Sequence, residues 1–116
     1  MLALISEHAR SHMSESYRYV IIETFLHKGG NSKHAIRARP ISGQGLSTFM
    51  RVECSSRMRE SHPIGTKMKV RARVKSTDQT PHLYTSWQWG YDLVDDEQAA
   101  RFIEAKDWET KRTEWL

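Results

Sequence analysis

The chain contains a single cysteine, Cys54, and few strong helix or strand breakers, three prolines and six glycines in 116 residues. A lone thiol forms no internal disulfide, so stability must come from a hydrophobic core, and the composition suits a reducing cytoplasm. The same thiol could still link two chains. No apolar run approaches the ~20 residues of a membrane-spanning helix. Met1–Ile5 also lacks the basic lead and small-residue cleavage pattern of a secretory signal, and Met13 offers an alternative start.

Chemical motifs are missing as well. Of the six histidines, only His8 and His12 have metal-ligand spacing, and they fall in a polar leader. Gly29-Gly30 and Gly43-Gln44-Gly45 match neither a phosphate loop nor a dinucleotide fingerprint. Cys54 alternates with Met50 and Val52, the pattern of a buried thiol and not of a nucleophile. These absences predict a binding module without cofactor or metal, and with no enzymatic activity.

Negative charge is scarce in one stretch. From Ser16 to Lys75 there are thirteen Lys and Arg against three acids, Glu23, Glu53 and Glu60. From Ser76 to Leu116 the balance reverses, with four Lys and Arg against nine acids, inside an overall net charge of +4. The basic stretch culminates in Thr66–Lys75. Strict alternation there predicts a strand with Met68, Val70, Ala72 and Val74 on one face and Lys67, Lys69, Arg71, Arg73 and Lys75 on the other. Neighbouring cations in such a row stand about 6.6 Å apart, so acids, counter-ions or a polyanion must offset their repulsion.

The remaining chain reads mostly as strands. Tyr17–His27 is dense in β-branched and aromatic residues on both faces, the mark of a strand covered on two sides, and Lys28–Asn31 is its turn. His34–Arg39 forms a short strand placing Arg37 and Arg39 on one face, ended by Pro40. Ser47–Cys54 alternates as a third strand, with Glu53 as a candidate partner for the cations, and Ser55–Pro63 reads as a loop. After Lys75, turn chemistry at Ser76–Pro81 predicts a hairpin. Its return strand, His82–Val94, sets Leu83, Thr85, Trp87, Trp89, Tyr91 and Leu93 on one face, bound for the core or a subunit interface, while Tyr84 points the other way. Asp95 and Gln98 form a capping box for a helix whose stripe is Ala99, Phe102, Ile103 and the stem of Lys106, and which no Gly or Pro halts before Trp108.

The expected architecture is mainly β (α+β). It is a small, strongly curved, antiparallel five-stranded sheet or partly closed barrel, SH3-like or oligonucleotide-binding (OB)-like, with one C-terminal α-helix. Residues 1–16 read as a weakly ordered leader, 17–94 as the barrel core, and 95–116 as helix and tail of the same domain. The cation row predicts contact with a nucleic-acid backbone at low sequence specificity through Lys67, Lys69, Arg71, Arg73, Lys75, Arg37 and Arg39, with Tyr84 as a stacking residue. An alternative remains open, a protein-interaction or homo-oligomeric module. There the basic face meets the acidic helix of its own or another chain, and the tryptophans are buried.

Overall fold

The computed structural model describes residues 17–27, 36–76 and 80–108. The expected leader, the Lys28–Asn31 turn and the C-terminal tail lie outside them. The order of elements is β1 (Arg18–Leu26), β2 (Ile36–Pro40), β3 (Val52–Glu53), α1 (Ser56–Glu60), β4 (Lys67–Lys75), β5 (His82–Tyr84), a 3-10 turn at Trp87–Trp89, β6 (Tyr91–Val94) and α2 (Asp96–Ala105). Strands run in the order β2-β1-β4-β5-β3, and β6 also pairs with β4. The β1–β2, β1–β4, β4–β5 and β4–β6 pairs are antiparallel, whereas β3–β5 is parallel.

The result is a nearly closed, barrel-like mixed sheet with a C-terminal helix. The expectation of a wholly antiparallel sheet is corrected at β3, which returns beside β5 in the same direction. A short helix also lies between β3 and β4. The connectivity by itself assigns no ligand. Arg59 staples the seam between β2 and β3, donating from Nε to Ile36 O at 2.9 Å and from Nη1 to Cys54 O at 2.6 Å.

β1 is covered on both sides, as its composition predicted. Val20 and Ile22 face the barrel interior with Ala38, Val52, Met58, Met68, Val70, Ala72 and Leu83. Ile21 faces outward under α2, against Ala99 and Phe102. Full burial of each such aliphatic side chain stabilises the fold by about 1.5–3 kcal/mol. Because β2 pairs only with the Ile22–Leu26 half of β1, Gln44 fills the gap beyond. Its side chain accepts from Ile21 N at 2.8 Å and donates to Ile21 O at 2.9 Å and Ile41 O at 3.0 Å.

Four other expectations are corrected. The third strand contracts to Val52–Glu53, because Ser47 turns the chain by accepting from Phe49 N at its hydroxyl and from Met50 N at its carbonyl; Phe49 is left 96% exposed. Part of the expected Ser55–Pro63 loop is helical, capped by Ser55 and anchored by the buried Met58. The return strand breaks into β5 and β6. Val70 faces Tyr91 while Arg73 faces Tyr84, so the return chain spends more residues than β4 over the same length and loops out between Thr85 and Gly90. Finally, α2 begins at the predicted Asp95–Gln98 capping box but stops at Ala105. Lys106 adopts a left-handed φ of 53°, and Lys106 N and Asp107 N bond back to Ile103 O and Phe102 O. These are the paired bonds of a Schellman cap, which leaves Lys106 exposed.

Candidate nucleic-acid interface

The predicted alternation of β4 holds. Met68, Val70 and Ala72 are buried and Val74 packs against them. The five cations lie on the outer face, each half-buried. Tyr19, Ile21 and Glu23 of β1 stand opposite Arg71, Lys69 and Lys67 on that face.

The row divides into two environments along its length. At its start, Lys67 Nζ lies 2.9 Å from Asp96 Oδ1 and 3.5 Å from Glu23 Oε2. The hydrogen bond to Asp96 is the main reason its pKa is raised, with the charges of Asp96 and Glu23 adding to it against the opposing cost of desolvation. Glu23 also binds Arg39 Nε at 3.1 Å, and the Arg39 guanidinium lies over Phe25, 4.6 Å from the ring centre. Lys67 and Arg39 are thus neutralised. Arg37 is exposed opposite Phe25, at the far edge of the same end.

At the other end Lys69, Arg73 and Lys75 rest on rings in place of carboxylates, and Arg71 lies beside a ring as well. Lys69 Nζ is 5.1 Å from the Tyr19 ring and the Arg71 guanidinium 5.9 Å from it. Arg73 lies 5.8 Å from both Tyr17 and Tyr84, and Lys75 Nζ 4.5 Å from Tyr84. All fall within the ~6 Å reach of a cation–π contact. Trp89 joins the two tyrosines edge-on, at 5.2 Å from Tyr17 and 5.6 Å from Tyr84. Among the described residues Lys69, Arg73 and Lys75 form no ion pair. Glu53, the expected partner, binds His82 Nε2 at 3.0 Å instead.

A cation–π contact holds a side chain in place without cancelling its charge, so this end stays positive and presents aromatic surface. Of the predicted residues, the fold brings Lys69, Arg71, Arg73, Lys75 and Tyr84 together and sets Lys67, Arg39 and Arg37 apart. Sequence reasoning missed Tyr17, Tyr19 and Trp89. The available signal for the tyrosines was parity, since Tyr17, Tyr19 and Glu23 alternate away from the interior-facing Val20 and Ile22.

The tryptophans are a further correction. Trp87, expected in the core or a subunit interface, is 67% exposed in the single chain, and Leu93 is 53% exposed. For Trp87 the cause is the loop-out. Ser86 accepts from Gln88 N, Trp89 N and Gly90 N bond back to Ser86 O and Trp87 O, and Gly90 takes a φ of 73° that a side chain would resist.

Other chemistry is sparse. Among the described residues no group of three or more His, Cys, Asp or Glu is arranged to hold a metal. Burial raises the Cys54 pKa, opposed by the Arg59 guanidinium, whose Nη1 is 3.8 Å from the sulfur, which keeps the thiol protonated near neutral pH. No helix among the described residues is long and apolar enough to cross a membrane. No family model, curated protein or solved structure matches the chain.

Proposed function

We propose that the protein is a non-enzymatic module that binds single-stranded nucleic acid, with little sequence specificity, across the outer face of β1, β4 and β5. The observation that carries this reading is the run of Lys69, Arg71, Arg73 and Lys75 interleaved with Tyr19, Tyr17 and Tyr84. The cations alternate at about 6.6 Å, close to the separation of successive phosphates on an extended single strand. The rings supply sequence-tolerant stacking surface, which paired bases in a duplex cannot reach. The lone cysteine fits a cytoplasmic setting for this activity.

Fluorescence anisotropy with labelled single-stranded and duplex oligonucleotides tests the proposal. Four phosphate contacts give a slope of log affinity against log salt of about −3 for a single strand. Binding should favour single strands, and Lys75→Glu should weaken it while leaving the melting temperature nearly unchanged. Absence of binding at low salt, or indifference to the charge reversal, ends the proposal.

A second reading is self-association, in which the exposed acids Glu104 and Asp107 of one copy meet the Arg73 and Lys75 end of another. Sedimentation at low and high salt separates the two readings, because this interface would dissociate as salt rises.

A further inference from the structure

Trp87 stands between two hollows on the side of the barrel next to the proposed interface. One, of about 380 Å³, is mainly apolar and is lined by Met58, Tyr91, Ser55 and Arg57 together with Trp87. The other, of about 370 Å³, shares Ser55 and Trp87 and reaches Tyr84, which belongs to the cation–aromatic face. From these shared walls we infer that the apolar hollow receives one unstacked base of the same strand, laid against Trp87. The inference rests on the function proposed above.

Three features favour a base over another occupant. Trp87 is carried outward by a turn in which the N–H groups of Gln88, Trp89 and Gly90 are bonded, so its exposed indole is offered for stacking. Arg57 is exposed at the rim and supplies a positive charge for the attached phosphate. The second hollow, which shares Ser55 and Trp87 with the first, also touches Tyr84 of a face whose charge suits a polyanion. Glu53 also lines the second hollow, with His82 Nε2 3.0 Å from its carboxylate. The polar groups around the apolar hollow are engaged: Ser55 Oγ accepts from Met58 N, and Tyr91 Oη is 2.9 Å from His62 Nε2. Stacking therefore dominates, and all four bases should be held with similar strength.

The test uses single-stranded oligothymidylates read by anisotropy, intact or carrying one abasic nucleotide at each position in turn, against the wild type, Trp87→Ala and Trp87→Phe. The side chain is exposed, so the variants should match the wild type in thermal melting. The expected result is that Trp87→Ala binds the intact strand roughly 5- to 100-fold more weakly, the range of one stacked base, and that Trp87→Phe restores much of it. One abasic position should weaken the wild type by a similar factor and leave Trp87→Ala unaffected, because both changes remove the same contact. Salt-dependent binding that Trp87→Ala leaves unchanged overturns the base site and spares the proposed function. Binding weakened equally by that abasic position in the wild type and in Trp87→Ala does the same. Absence of binding at low salt overturns both.

Discussion

The side-chain amide of Gln44 pairs with both the N–H and the C=O of Ile21, at 2.8 and 2.9 Å, as the peptide of a neighbouring strand would. Gln44 is itself 1% exposed, so this pairing is shielded from solvent. Gln44→Ala should therefore destabilise the protein by about 1–3 kcal/mol, the cost of leaving the buried Ile21 N–H unpaired, while Ile21 O keeps its bond from Ile41 N. Urea denaturation checks this, as a lower midpoint with little change in slope.

The loop that delivers Gln44 depends on its neighbour. Gly43 has a φ of 95°, and a Cβ built there would lie 2.8 Å from Ile103 Cγ2 of α2. Gly43→Ala should cost about 1–3 kcal/mol, combining backbone strain with overpacking. A thermal melt measures the loss, and Ile103→Leu, which removes the branch methyl at Cβ, should recover part of it in the Gly43→Ala background.

The Lys67–Asp96 pair gives a pH dependence of known sign. Its folded pKa is raised above the ordinary lysine value of about 10.4. The stabilisation is thus fully present below that value and is lost as pH rises through the folded one. Asp96 is 92% exposed, so the contribution is under about 1 kcal/mol. The stability difference between the wild type and Lys67→Met should be constant up to pH ~9.5 and shrink by pH ~11.5, as followed by denaturant melts.

Arg59 closes the β2–β3 seam and lies beside the Cys54 sulfur. In the wild type the protonated, half-buried thiol should react with iodoacetamide at pH 7.5 at least ~10-fold more slowly than in the urea-unfolded chain. Arg59→Met should cost about 2 kcal/mol through the lost charged hydrogen bonds and speed the alkylation by opening the seam. Mass spectrometry of timed samples follows both.

Much of this fold was legible where one local rule acted alone. The alternation at Met68–Val74 fixed the faces of β4, and Asp95 with Gln98 announced the start of α2. It failed where a turn overrode an alternating pattern. Leu83, Thr85, Trp87, Trp89, Tyr91 and Leu93 alternate without a break, yet Ser86 and Gly90 turn the chain in their midst. Phe49 was misplaced for the same reason, through Ser47. Gln44 left no signal, because its role depends on where β2 departs from β1. The cations were visible as a row, but which met acids and which met rings depended on strand register and on the docking of α2.

The uninterrupted course of β4 has a consequence for motion. It is bonded to β1 along most of its length, and its opposite edge is shared between β6 at one end and β5 at the other. Releasing it requires dismantling three neighbours, so its amides should be among the slowest in the chain to exchange with deuterium, opening only with the whole domain. The side chains that offer themselves to solvent are thus carried on the least yielding backbone in the molecule, and a ligand would meet charges set at fixed intervals, as on a ruler.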